Sequence, residues 1–159
     1  MPKQKCKKKT TILIAEDNEE ERNLIKQAAD EGCICNELKF VNDGQDLFDY
    51  LHRRGDYRDS SVSPCPDLIV LNPALRNKSG IELLRELKSD PNLKTIPIIV
   101  FSTLEHKELV NESYGVGANT YIAKPRLFDG VVKTVSSFLK YWCEIAKLPK
   151  GTCPGFEAA

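Results

Sequence analysis

The chain has no apolar run near the roughly 20 residues needed to cross a bilayer, so no membrane span is expected. It has only two histidines. His52 lies on a predicted helix and His106 at the start of another. Neither follows a strand beside a candidate nucleophile, so both are read as surface residues. Its six cysteines, Cys6, Cys33, Cys35, Cys65, Cys143 and Cys153, lack the paired spacing of metal ligands. They read as reduced thiols of a cytoplasmic protein, with Cys33 and Cys35 inert, and not as a disulfide framework. The N-terminus is basic, but no apolar stretch follows it, so no secretory signal is expected. No internal repeat is visible.

Net charge is also missing: 23 basic side chains face 23 acidic ones. That balance joins unlike parts. Residues 1–10 carry five lysines and no acid, which leaves 23 less 5, or 18, basic against 23 acidic residues elsewhere. A mildly acidic body argues against a nucleic-acid-binding face. The expected organisation is a basic flexible tail over 1–10, one domain over 11–148 and an irregular tail over 149–159.

What the chain does have is alternation. Apolar runs at 11–15, 37–41, 67–71, 96–101 and 119–123 read as strands. Helical spacing lies between them. Asn18 with Glu21, and Ser79 with Glu82, are spaced as helix caps. Asp90-Pro91 ends the third helix, because proline cannot continue one. A fourth helix is expected to open at Ser102 or Thr103 and to stop at Gly115 and Gly117. The last helix runs from 127 to about 146, with Val131, Val132, Val135, Phe138, Leu139 and Trp142 in period. The stretch 56–66 is polar and proline-containing, hence a loop. Five strand–helix pairs imply an α/β fold, a doubly wound parallel sheet with helices on both faces.

In such sheets ligands sit beyond the carboxyl ends of the strands. The polar residues there are Glu16 and Asp17, Asn72, Ser102 and Lys124. Adjacent carboxylates suit Mg²⁺, a hydroxyl can donate to a phosphoryl oxygen, and a lysine offers compact positive charge.

Ile12-Leu13-Ile14-Ala15-Glu16-Asp17-Asn18, Pro66-Asp67-Leu68-Ile69-Val70-Leu71-Asn72, Phe101-Ser102-Thr103 and Tyr121-Ile122-Ala123-Lys124-Pro125 resemble the receiver domain of bacterial response regulators. The resemblance implies a flavodoxin-like (βα)5 fold with strand order 2-1-3-4-5. The stretch 50–57, with Phe138-Leu139-Lys140-Tyr141-Trp142 and Leu148-Pro149, is similar to single-domain regulators that partner bacterial phytochrome kinases. It implies a metal role for Glu16 and Asp17, switch roles for Ser102 and Tyr121, and phosphate-pocket roles for Lys124 and Pro125. Asn72 falls where the family has its phosphoacceptor aspartate.

An asparagine amide is neutral and a poor nucleophile, so the usual acyl phosphate should not form. A weakened Mg²⁺ site and a resting Lys124–Asp17 pair follow as expectations. The neighbours depart from the family too: Pro73 follows at once, Arg76 stands where proline is usual, and Ser79 where the phytochrome subgroup often has aspartate. Pro73 lacks the N–H that common asparagine deamidation uses. The leading expectation is a non-enzymatic pseudo-receiver with no required cofactor. It would bind a sensor histidine kinase, of phytochrome type, or a downstream target. It would pair with itself through the fourth helix, fifth strand and fifth helix, with Val132, Leu139 and Trp142 in the contact. A receiver phosphorylated elsewhere, at Ser102 or Thr103, or binding phosphate non-covalently, is the alternative. A flavodoxin-like ligand binder is disfavoured, because the acidic run 16–21 would repel phosphate.

Overall fold

A computed structural model describes residues 9–32, 36–76, 78–149 and 153. The expectations for the basic tail over 1–8, and for Cys6, Cys33 and Cys35, lie outside the described residues. Strands β1 (Thr10–Ala15), β2 (Asn36–Val41), β3 (Leu68–Leu71), β4 (Ile98–Ser102) and β5 (Thr120–Ala123) alternate with helices. The helices are α1 (Glu19–Glu31), α2 (Gly44–Leu51), α3 (Gly80–Ser89), α4 (Lys107–Val116) and α5 (Phe128–Lys140). All strand pairings are parallel, in the order β2-β1-β3-β4-β5. The flavodoxin-like receiver architecture and its strand order are therefore as expected.

The period-two geometry of strands divides the apolar residues between two layers. Leu13, Ala15, Ile69, Leu71, Ile98 and Val100 face α2 and α3, with Leu47, Leu51, Leu83, Leu84 and Leu87 packed on them. Ile12, Ile14, Leu68, Val70, Ile99 and Phe101 face α1 and α5, where Ile25, Ala28, Val131, Val135 and Phe138 cover them. The central strands β3 and β4 are buried along their whole length. This explains why they read as unbroken apolar runs.

The caps follow the sequence pattern. Asn18 and Ser79 accept from the backbone N–H groups of Glu21 and Glu82. Asp43 does the same for Asp46 at the start of α2. Gly117, with φ of 124°, closes α4 in a conformation that other residues rarely adopt. Helix α4 opens later than the sequence suggested, at Lys107. Ser102 Oγ accepts from the Leu104 N–H instead of capping a helix, so residues 103–106 remain open loop. The last helix keeps α geometry to Lys140 and continues as a π turn over Tyr141–Ile145, closed by the Ala146 N–H on the Tyr141 carbonyl.

The reading of all cysteines as reduced thiols is corrected. Cys65 and Cys153 form a disulfide, with Cα atoms 5.7 Å apart and a sequence separation of 88. Their separation hides the pairing from any spacing rule, whereas the fold carries Cys153 into the α2–α3 layer beside the loop that leads into β3. Cys143 is free and half-buried. No helix among the described residues is long and apolar enough to cross a membrane.

Candidate functional site

Parallel strands present their carboxyl ends at one edge of the sheet, which brings Glu16, Asp17, Asn72, Ser102 and Lys124 together there. Glu16 and Asp17 point in opposite directions, as adjacent residues leaving a strand do. Glu16 is buried and Asp17 is exposed.

Glu16 is the hub. Its Oε2 accepts from Lys124 Nζ at 3.0 Å and from Asn72 Nδ2 at 3.0 Å. Its Oε1 accepts from the Asn18 N–H at 3.1 Å. Lys124 also lies 3.4 Å from Glu21 Oε2, close enough for ion pairing, although that buried oxygen has no hydrogen-bond partner. The lysine ammonium sits over the Phe101 ring, 5.2 Å from its centre. The expected Lys124–Asp17 pair is thus corrected: the inward residue of the acidic pair, Glu16, takes the lysine, with Glu21 from the first turn of α1 beside it. Asp17 instead faces Arg76 at 3.8 Å, a solvent-exposed contact worth little.

Asn72 is held at both ends of its amide. Its Nδ2 donates to Glu16, and its Oδ1 accepts from the Ala74 N–H at 2.9 Å. The loop that follows is tight. The Pro73 carbonyl accepts from the Gly80 N–H, and a Cβ on Gly80 would lie 2.3 Å from the Pro73 Cα. Only glycine allows this approach.

On the other side, Ser102 is buried, with Oγ held by the Leu104 N–H. The Tyr121 hydroxyl donates to the Leu104 carbonyl at 2.7 Å, clasping the β4–α4 loop from β5. The Tyr121 N–H in turn donates to the hydroxyl of Tyr114 on α4. Pro125 packs on Gly130 at the start of α5.

A divalent cation of the kind the receiver resemblance implies does not fit this arrangement as it stands. Lys124 and Asn72 already occupy Glu16 Oε2, and Arg76 faces Asp17. Among the described residues no three acidic, histidine or cysteine side chains are grouped to hold a metal ion.

The expected contact residues separate. Leu139 is fully buried in the α1–α5 layer, because it faces the sheet, and is corrected from surface to core. Val132 and Trp142 are partly buried against that layer. Leu127, Phe128, Tyr141 and Ile145 are the exposed large apolar residues of the segment. A groove of about 650 Å³ lies between β5, α5 and the π turn, lined by Ile122, Phe138, Tyr141 and Trp142 among others, and of the exposed residues Tyr141 lines it.

Residues 12–136 match the response regulator receiver domain family. The response regulator Rcp1 of Synechocystis is 33% identical over 138 residues, spanning 87% of this chain and 92% of Rcp1. The crystal structure of the Mn²⁺-bound form of Rcp1 superposes with a TM-score of 0.81, covering 89% of this chain and 99% of that one. The crystal structure of the phosphorylated cyanobacterial phytochrome response regulator RcpA is 34% identical, with a TM-score of 0.83, over 90% of this chain and 100% of that one. Response regulator RPA3017, from red light signalling of R. palustris, is 28% identical, with a TM-score of 0.82, over 89% of this chain and 99% of that one.

Proposed function

The chain belongs to the response regulator receiver family, and from that premise we propose that it is a pseudo-receiver, a two-component signalling module whose output does not depend on aspartyl phosphorylation. Asn72 stands where the family carries its acceptor aspartate. The observation that carries the proposal is the double engagement of its amide, as donor to Glu16 and acceptor from Ala74. A carboxylate could not donate to Glu16. At this position it would bring two like charges together, which a receiver resolves with a divalent cation. The amide adds no second negative charge, and Lys124 neutralises Glu16 without metal. No cofactor is required, and Mg²⁺ binding is weak.

The remaining pocket is closed in the same way. Ser102 Oγ is buried and committed to the Leu104 N–H, which disfavours it as a replacement acceptor. Tyr121 holds the β4–α4 loop through its hydrogen bond to the Leu104 carbonyl. The two-state surface of a receiver is then fixed by sequence, since no ligand with differential affinity acts on it.

The partner is a cytoplasmic sensor histidine kinase of phytochrome type, a reading supported by likeness to RcpA, a phytochrome response regulator, and to RPA3017 of red light signalling. Neither membrane nor nucleic acid is a partner. A homodimer forms through the α4–β5–α5 face, supported by the groove that exposed Tyr141 lines and by exposed Leu127, Phe128 and Ile145 at the ends of the α5 segment. Copurification with a phytochrome-type kinase, with and without ATP, tests the reading. Equal binding in both conditions is expected, and binding only after phosphotransfer would refute it. Sedimentation at micromolar concentration tests the dimer, and a monomer alone would end that part.

A further inference from the structure

The C-terminal segment meets the sheet at the edge opposite Glu16 and Lys124. Cys143, in the π turn after α5, lies beside Thr10 at the start of β1. Trp142 and Cys143 pack on the α1–α5 layer. Cys153 is 3% exposed in the other layer, under α2 and α3, where it is bonded to Cys65 ahead of β3. The disulfide therefore fastens Cys153 to the opposite face of the sheet from the one that α5 covers.

We propose that Cys65–Cys153 is a redox-responsive latch, opened by a dithiol reductant and closed by a disulfide oxidant. Cys65 is only half-buried, so its sulfur is the one an incoming thiolate reaches. Attack there forms a mixed disulfide at Cys65 and expels Cys153 as a thiolate, which takes up a proton. The second thiolate of the reductant then attacks its own sulfur in the mixed disulfide and expels Cys65. The Cys153 N–H lies 3.3 Å from Cys65 Sγ and stabilises negative charge on that sulfur as it leaves. The protein disulfide gains two electrons and two protons, and the dithiol is oxidised to its own disulfide. Cys143 cannot act as an internal attacker near neutral pH, because burial pushes its thiol up to about 11. The latch spans 88 residues, so opening it returns a large share of chain freedom to the unfolded state.

Air-oxidised protein and protein treated with dithiothreitol provide the test, by differential alkylation with peptide mapping, thermal melting and emission of Trp142, the single tryptophan. Cys65 and Cys153 should resist alkylation until reductant is added. Reduction should lower the melting temperature by on the order of 10 °C and shift Trp142 emission, and glutathione disulfide should restore both. Cys153→Ser and Cys65→Ser should each match the reduced protein and ignore dithiothreitol. Alkylation of both cysteines in the oxidised protein would overturn the proposal. So would opening of the bond with melting and emission unchanged, or a failure of oxidant to re-form it.

Discussion

Lys124 Nζ lies 3.0 Å from Glu16 Oε2, with 5% and 4% of the two side chains exposed. A charge pair this deep is costly to desolvate, and much more costly to break by removing one partner. Lys124→Met should therefore destabilise the protein by about 3–5 kcal/mol in urea unfolding, because it leaves the Glu16 carboxylate buried with only hydrogen-bond donors. The Lys124→Met, Glu16→Gln double variant should recover most of that loss. A double variant as unstable as the single would mean that the lysine acts through packing.

Asn72→Asp exchanges a donor to Glu16 for a second carboxylate. Without divalent cations the variant should lose roughly 1–3 kcal/mol, the cost of a lost buried hydrogen bond with added like-charge repulsion. Mg²⁺ should restore that loss in the variant while leaving the melting temperature of the unsubstituted protein unchanged. The aspartate variant should still not regain full phosphorylation, because Pro73 and Arg76 also alter the loop. Rapid labelling of the variant by acetyl phosphate would show an intact pocket around it.

Gly80→Ala places a methyl group 2.3 Å from the Pro73 Cα, which is backbone and cannot swing aside. The expected cost is about 1–3 kcal/mol or more, as for other overpacked sites. It should be accompanied by faster hydrogen exchange in the loop after β3. A variant as stable as the parent would show that the Pro73 turn is looser than its geometry implies.

Tyr121→Phe removes one hydrogen bond, to the Leu104 carbonyl. The loss in global stability should be small, about 0.5–1.5 kcal/mol. Amide exchange across 103–106 should nevertheless accelerate, because Ser102 would remain as the principal anchor of that loop. Unchanged exchange would remove Tyr121 from any role in holding the loop.

Burial of the Cys143 thiol raises its pKa to about 11. The folded state therefore keeps a proton that the unfolded chain loses near pH 8.5. The contribution to stability is complete below about pH 8.5 and declines as pH rises towards 11, since the unfolded state then binds fewer protons. Iodoacetamide should modify Cys143 at pH 8 roughly 100-fold more slowly than a free thiol, given its smaller thiolate fraction. Fast alkylation at pH 8 would show that the site is open.

The fold was legible because each strand is a short apolar run with a cap or a proline at its boundary. The set of residues at the strand ends was legible too, since parallel topology fixes where those ends lie. The partner of Lys124 was not. Glu16 and Asp17 are adjacent and chemically alike, and only the direction in which the strand leaves the sheet decides which turns inward. Leu139 fits the helical period equally well as core or surface, and the rotation of α5 on the sheet settled it. Cys65 and Cys153 are too far apart for sequence to pair. The opening of α4 moved because the Ser102 hydroxyl serves its own loop instead of a helix.

Intact-mass measurement after incubation with acetyl phosphate and Mg²⁺ tests the central claim most directly. The account predicts an unshifted mass, because the Asn72 amide is no nucleophile and Ser102 Oγ is buried and engaged. A stable gain of one phosphoryl group would contradict it.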